Sequence, residues 1–137
     1  MNDSLPEEIA LHAETDIVVV RKCVRESATR LGFGITDVTR IITAASELAR
    51  NAFLYAGSGV VRCRELSRSD KVGLELTVED HGPGIADIDQ AMQPGYTTGK
   101  GLGLGLPGAK RLMDEMEIES EAGKGTKVTI KKWRKGT

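Results

Sequence analysis

Glu47 and Asn51 stand four residues apart in a stretch whose apolar residues recur at helical spacing, so both side chains fall on one helix face, one turn apart. A carboxylate beside a neutral amide is a pair that can place a cation and activate a nucleophile. The amide oxygen can ligate Mg²⁺ without adding charge, and the carboxylate can take a proton from an incoming hydroxyl. The same spacing also describes the exposed polar face of an ordinary helix. Asn51 lies among Ala49, Ala52 and Phe53, however, and an amide buried in such surroundings must find a partner.

Three further groups of residues carry chemistry. Asp80-His81-Gly82-Pro83-Gly84 follows an alternating strand pattern. A carboxylate at a strand end can accept a hydrogen bond from an exocyclic amine such as that of adenine, and Gly82 and Gly84 let backbone approach a flat ring. As a local pattern, the same run is equally a turn. Gly99-Lys100-Gly101-Leu102-Gly103-Leu104-Gly105 leads into a helical pattern. Backbone N–H groups at Gly101, Gly103 and Gly105, together with the positive end of a helix dipole, favour phosphate. Glycine at every second position is a poor start for a purely structural helix, since each interior one costs about 1 kcal/mol against alanine. Gly123-Lys124-Gly125-Thr126 reads as a hairpin turn, with Thr126 a possible hydroxyl for a base pocket. Two look-alikes fail. Gly103 to Gly108 matches G-x-G-x-x-G but no strand directly precedes it, and Gly95 to Lys100 is one residue short of a P-loop, with Gly101 in place of Ser or Thr.

These residues need elements to hold them. Ile9–Ala13 alternates as a short strand, and a helix is predicted over Asp16–Leu31, with Thr15 or Asp16 as N-cap and Gly32 as stop. Thr36 is the expected cap of a second helix running to about Tyr55, with Gly57 as its C-terminal signal. Strands are expected near Val60–Glu65 and over Val72–Glu79, then a short helix at Ala86–Met92 and a third main helix over Leu104–Met116. Two last strands, Glu117–Ser120 and Thr126–Trp133, close the chain. The pattern implies a two-layer α/β (α+β) sandwich, a mixed, mostly antiparallel sheet with helices on one face, in a single domain over 1–137.

Composition narrows the function. The 137 residues are 39% hydrophobic and 28% charged, with a net charge of −1, so a nucleic-acid partner has no electrostatic basis. The basic run Lys131-Lys132-Trp133-Arg134-Lys135 reads as a solvated final strand and frayed tail. Cys23 and Cys63 read as reduced, structural thiols, and His12 and His81 are too isolated for a metal site. The start has no signal-peptide pattern, and the longest apolar run, Ala52–Ala56, is too short to span a bilayer. A cytoplasmic location without membrane contact is expected.

The ordered set Glu47…Asn51, Asp80-x-Gly82-x-Gly84, Gly101-x-Gly103-x-Gly105 and Gly123-x-Gly125-Thr126 resembles the N box and glycine boxes of the GHKL ATPases and kinases. That resemblance implies the Bergerat-type fold, with Mg·ATP under a lid around Pro94–Gly101. It makes Glu47 the general base, Asn51 the Mg²⁺ ligand and Asp80 the partner of the adenine amino group. Gly32-Phe33-Gly34, Ser46–Asn51 and Gly103–Glu115 are similar to the stressosome switch kinases, bacterial serine/threonine protein kinases that act by partner switching in stress responses. The similarity implies STAS-domain scaffold proteins as substrates and a phosphatase of the protein phosphatase 2C type as the partner of the released kinase. The alternative is an anti-sigma factor that sequesters a sigma factor and phosphorylates an anti-anti-sigma protein. Arg50, Lys100, Lys110 and Arg111 stand near these motifs, as phosphate or partner contacts or as solvated surface.

Overall fold

The computed structural model describes residues 3–85, 92 and 105–135. In chain order the elements are β1 (Glu7–Leu11), α1 (Asp16–Arg30), α2 (Ile35–Ala56), β2 (Gly59–Ser67), β3 (Lys71–Asp80), α3 (Gly105–Leu112), β4 (Glu115–Glu121) and β5 (Gly125–Lys135). The strands lie in the order β1-β2-β3-β5-β4. Every pairing among the described residues is antiparallel, within the expected fold class.

Alternation along the strands builds the two faces of the sheet. On one face, the register sets Cys63, Leu76, Ile130 and Met116 in one row and Ile9, Val61, Val78, Val128 and Ile118 in the next. These rows pack with Val20 and Val24 of α1, Ile41, Ala45 and Leu48 of α2, and Ala109 of α3 in one core. Val18 and Val19 of α1 turn outward, at 66% and 51% exposed. The other face carries charges that alternate in sign from strand to strand. Glu8, Arg62 and Glu79 are bridged, and so are Arg64, Glu75 and Lys131. Each exposed pair contributes about 1 kcal/mol or less, but opposite charges across every ladder favour this register over a slipped one.

Several boundaries differ from the sequence reading. Thr36 is not the cap of α2. Gly34 holds the N-cap position in extended conformation, and Thr36 lies in the first turn. Thr15 holds the α1 cap position without a side-chain bond, and Asp16 Oδ2 instead accepts the His12 and Ala13 N–H groups at 2.8 and 2.9 Å. Those bonds hold the Asp16 carboxyl below its ordinary range. α3 ends at Leu112 rather than Met116, because the Asp114 N–H bonds to the Lys131 carbonyl and Met116 pairs with Ile130. Sheet pairing outweighs the helical period there. The basic C-terminal run is not a solvated, frayed tail. Lys132 is 9% exposed, with Nζ 3.0 Å from the Leu112 carbonyl and 3.5 Å from Asp114 Oδ1. Trp133 covers Gly73, and Arg134 Nε donates to the Gly32 carbonyl at 2.9 Å. The expected helix over 86–91 and the lid around 94–101 lie outside the described residues.

Candidate functional site

Where the helix-side rows of the sheet reach the ends of β3, β5 and β4, their chemistry changes. Beyond Val78, Val128 and Ile118, the same face presents Asp80, Thr126 and Ser120, with Asp80 paired to Thr126 and Ser120 to Thr126. One row of the sheet is therefore polar where its neighbours are apolar. Ser120 Oγ ties the row together, lying 2.9 Å from Thr126 Oγ1, donating to the Gly125 carbonyl and accepting the Ile85 N–H at 2.7 Å. Ser120 was missed in the sequence. Its signal was a hydroxyl at an inward position of a strand whose other inward residues are Met116 and Ile118.

α2 is set against this row by small residues. A Cβ on Gly59 would lie 3.3 Å from Ala52 Cβ and 3.7 Å from Asp80 Cβ. A Cβ on Gly82 would lie 2.6 Å from Ala56 Cβ, closer than two carbons can pack. Gly84, at φ +75°, sits against the Glu121 carbonyl, and Gly125, at φ +109°, against the Asp80 carbonyl. The glycines of the Asp80 turn are thus required by helix and strand contacts, whatever flat ligand they also admit. Asp80 Oδ1 accepts the Gly82 N–H at 2.9 Å, which closes the turn.

Glu47 and Asn51 occupy the neighbouring stripe of α2, both half-buried. Arg50 Nη1 lies 3.1 Å from Glu47 Oε1, and the Glu47 side chain is 12% exposed. Arg50 is therefore a partner of the candidate base rather than free surface. The Asn51 side chain has no hydrogen bond among the described residues, so its amide oxygen is uncommitted and fits a Mg²⁺ ligand. No cluster of three or more His, Cys, Asp or Glu suited to a metal occurs among the described residues. Gly105 opens α3 at φ +65°. Lys100, Gly101 and Gly103 lie outside the described residues.

The two thiols lie away from this row, where α1 meets β2. Cys63 is buried with Sγ 3.8 Å from Ser27 Oγ, and Cys23 is half-buried beside Glu7. Burial pushes Cys23 up to about 12 and Cys63 up to about 11, so both stay protonated at neutral pH. No helix among the described residues is long and apolar enough to cross a membrane.

Known proteins are similar to this chain in sequence and in fold. The serine/threonine-protein kinase RsbT of Bacillus subtilis is 49% identical over 125 residues, 91% of this chain and 94% of that protein. An anti-sigma F factor of Caldanaerobacter subterraneus is 35% identical over 119 residues, 82% of each. Among solved structures, the RsbU and RsbW domains of a Mycobacterium tuberculosis protein superpose with a TM-score of 0.64 at 21% identity, over 96% of this chain and 33% of that one. That last match shows the fold alone. Residues 36–136 match the family described as histidine kinase-, DNA gyrase B- and HSP90-like ATPases, and the chain belongs to that family, among relatives that include RsbT and the anti-sigma F factors.

Proposed function

We propose that this chain is a serine/threonine protein kinase that transfers the γ-phosphoryl group of ATP to a STAS-domain partner in a cytoplasmic partner-switching pathway. On release from that partner it activates a phosphatase of the protein phosphatase 2C type. The observation that carries the reading is the meeting of α2 with the polar row. Glu47 and Asn51 share one face of a helix whose Ala56 packs onto Gly82 of the turn holding Asp80, and Asp80 pairs with Thr126. Identity of 49% to a serine/threonine kinase supports the same reading.

In this mechanism Asp80, with Thr126 beside it, accepts the adenine amino group, and Gly82 and Gly84 shape the turn. Lys100 and the amides of Gly101, Gly103 and Gly105 hold the phosphates. Asn51 would hold Mg²⁺, which would supply neutralisation of phosphate charge. Glu47 takes the proton of the partner hydroxyl as its oxygen attacks the γ-phosphorus and ADP leaves. Arg50 fixes the direction of the Glu47 carboxylate through the 3.1 Å ion pair.

Glu47→Ala should keep ATP affinity and lose transfer by roughly 10²–10⁴-fold, the range for a general base. Unchanged transfer would remove Glu47 from the chemistry. Asn51→Ala should lose the Mg²⁺-dependent part of ATP binding, read by titration with and without the metal. The 35% identity to an anti-sigma F factor supports a second reading, sequestration of a sigma factor. Capture with Glu47→Ala as a substrate trap separates the two: STAS-domain proteins support the switch kinase, and a sigma factor sinks it.

A further inference from the structure

We propose that Ser120 is a positioning residue that fixes the proton of the Thr126 hydroxyl, so that a bound purine meets Thr126 as a hydrogen-bond acceptor only. The inference rests on the ATP reading above, with Asp80 and Thr126 at the base, and adds the residue that sets the polarity of that pocket.

A serine hydroxyl has one proton to give and two lone pairs with which to receive. Ser120 Oγ has three polar neighbours, Ile85 N at 2.7 Å, the Gly125 carbonyl at 2.9 Å and Thr126 Oγ1 at 2.9 Å, so its whole capacity is filled. An amide N–H only donates, and Ile85 therefore takes one lone pair. A carbonyl oxygen only accepts, and Gly125 therefore takes the proton. The second lone pair is left for Thr126, whose own proton must point at Ser120. Were Ser120 to donate to Thr126 instead, its oxygen would stand 2.9 Å from the Gly125 carbonyl with no hydrogen between them. A hydroxyl pair on the opposite face of the sheet is different. Thr77 and Thr129 meet at 3.5 Å with no third group among the described residues to fix the direction, so either can be the donor.

Thr126 is the register partner of Asp80. Asp80 Oδ1 is committed to the Gly82 N–H at 2.9 Å, while Oδ2 meets no donor among the described residues. The row therefore offers a carboxylate oxygen and a hydroxyl lone pair next to one another, and a proton from neither. An exocyclic amino group brings two hydrogens and suits both. A purine without that group leaves both acceptors unpaired, and a site built to bind an N–H rejects the analogue that lacks it for this reason. Remove the Ser120 oxygen and the Thr126 proton is released. It can then turn to a ring nitrogen, which every purine carries, and the amino group counts for less.

The test is titration calorimetry of the full chain with ATP and with purine riboside triphosphate, each with Mg²⁺. The two nucleotides differ only in the amino group. Ser120→Ala should narrow the preference for ATP by about fivefold or more, the worth of one hydrogen bond. A merely structural role for Ser120 would weaken both nucleotides alike, and an unchanged ratio of the two Kd values would overturn the proposal. Thr126→Val removes the acceptor itself, so adding Ser120→Ala to it should move the ratio no further. A further change there would show that Ser120 does not act through Thr126, and would overturn the proposal as well. Thermal melting checks that each variant folds. Ser120→Cys, close in size and far weaker in its hydrogen bonds, replaces Ser120→Ala if the alanine variant does not fold, with the same outcomes read the same way. ATP binding by the wild type with an unchanged ratio in the variant would sink the role of Ser120 alone. Absence of ATP binding by the wild type would remove the ATP reading with it.

Discussion

Gly82→Ala tests whether the Asp80 turn is held by α2. The new Cβ would lie 2.6 Å from Ala56 Cβ, 3.0 Å from Ala56 Cα and 3.3 Å from Asp80 Oδ1. Carbons that touch without clashing need about a further ångström, so the turn or the last turn of α2 must shift. Overpacking of this kind costs about 1–3 kcal/mol. The backbone conformation of Gly82 is not the left-handed one, so any loss comes from crowding rather than φ. Ala56→Gly removes the first of these three close approaches and by itself costs about 1 kcal/mol at most, as a helix substitution. The double variant should therefore recover part of the Gly82→Ala loss, but not all, because the main-chain carbon of residue 56 still lies 3.0 Å from the added methyl. Urea denaturation of the four proteins gives the coupling energy directly. Displacing the turn should also disturb the Asp80–Gly82 bond and weaken ATP about tenfold or more, the worth of one charge-assisted hydrogen bond. Strict additivity of the two substitutions, or a loss below about 0.5 kcal/mol for Gly82→Ala, would refute the packing argument.

Three other outcomes are expected. Lys132→Met should destabilise the protein by roughly 1.5–3 kcal/mol, the range for a hydrogen bond from a charged group, because the Leu112 carbonyl and Asp114 lose their buried ammonium; thermal melting in low and high salt would check it, with little salt dependence expected. Gly73→Ala puts a Cβ 2.6 Å from Trp133 Cε3, so the ring must leave its place near Lys71, and emission from the only tryptophan should move to longer wavelength. An unchanged spectrum would refute that packing. Because burial raises both thiols from the ordinary value of 9.0, to about 12 and about 11, their contribution to stability is whole below pH 9.0, and as pH rises the Cys63 part is lost through about 11 and the Cys23 part through about 12. Denaturant midpoints from about pH 8 to 11, compared with a Cys23→Ser, Cys63→Ala variant, measure it.

The helical period of α2, and with it the shared face of Glu47 and Asn51, was legible in the sequence because 3.6-residue spacing is a property of one continuous segment. The same holds for β3, where period two puts Asp80 on the face of Leu74, Leu76 and Val78. The order of the motifs was enough to reach the family that the comparison with residues 36–136 then showed. The phosphate-binding assignments to Lys100, Gly101 and Gly103 stand on sequence alone, since those residues lie outside the described ones.

Other features were not legible, each for a reason that is not local. α3 stops at Leu112 because β5 captures the Asp114 N–H, a partner no helical pattern reveals. Lys132 looked like one charge in a basic tail, yet alternation from Val128 and Ile130 turns it inward, where the end of α3 supplies a carbonyl. Gly82 looked like an opening for a flat ligand, and its immediate neighbour is Ala56. By itself the sequence determined which side chains share a face within each element, and which chemistry those faces could carry. Tertiary structure alone decided which faces meet, setting Thr126 between Asp80 and Ser120 in one polar row. Periodicity is set by backbone geometry over a few residues, whereas register and packing depend on volumes and hydrogen-bond partners supplied by distant parts of the chain.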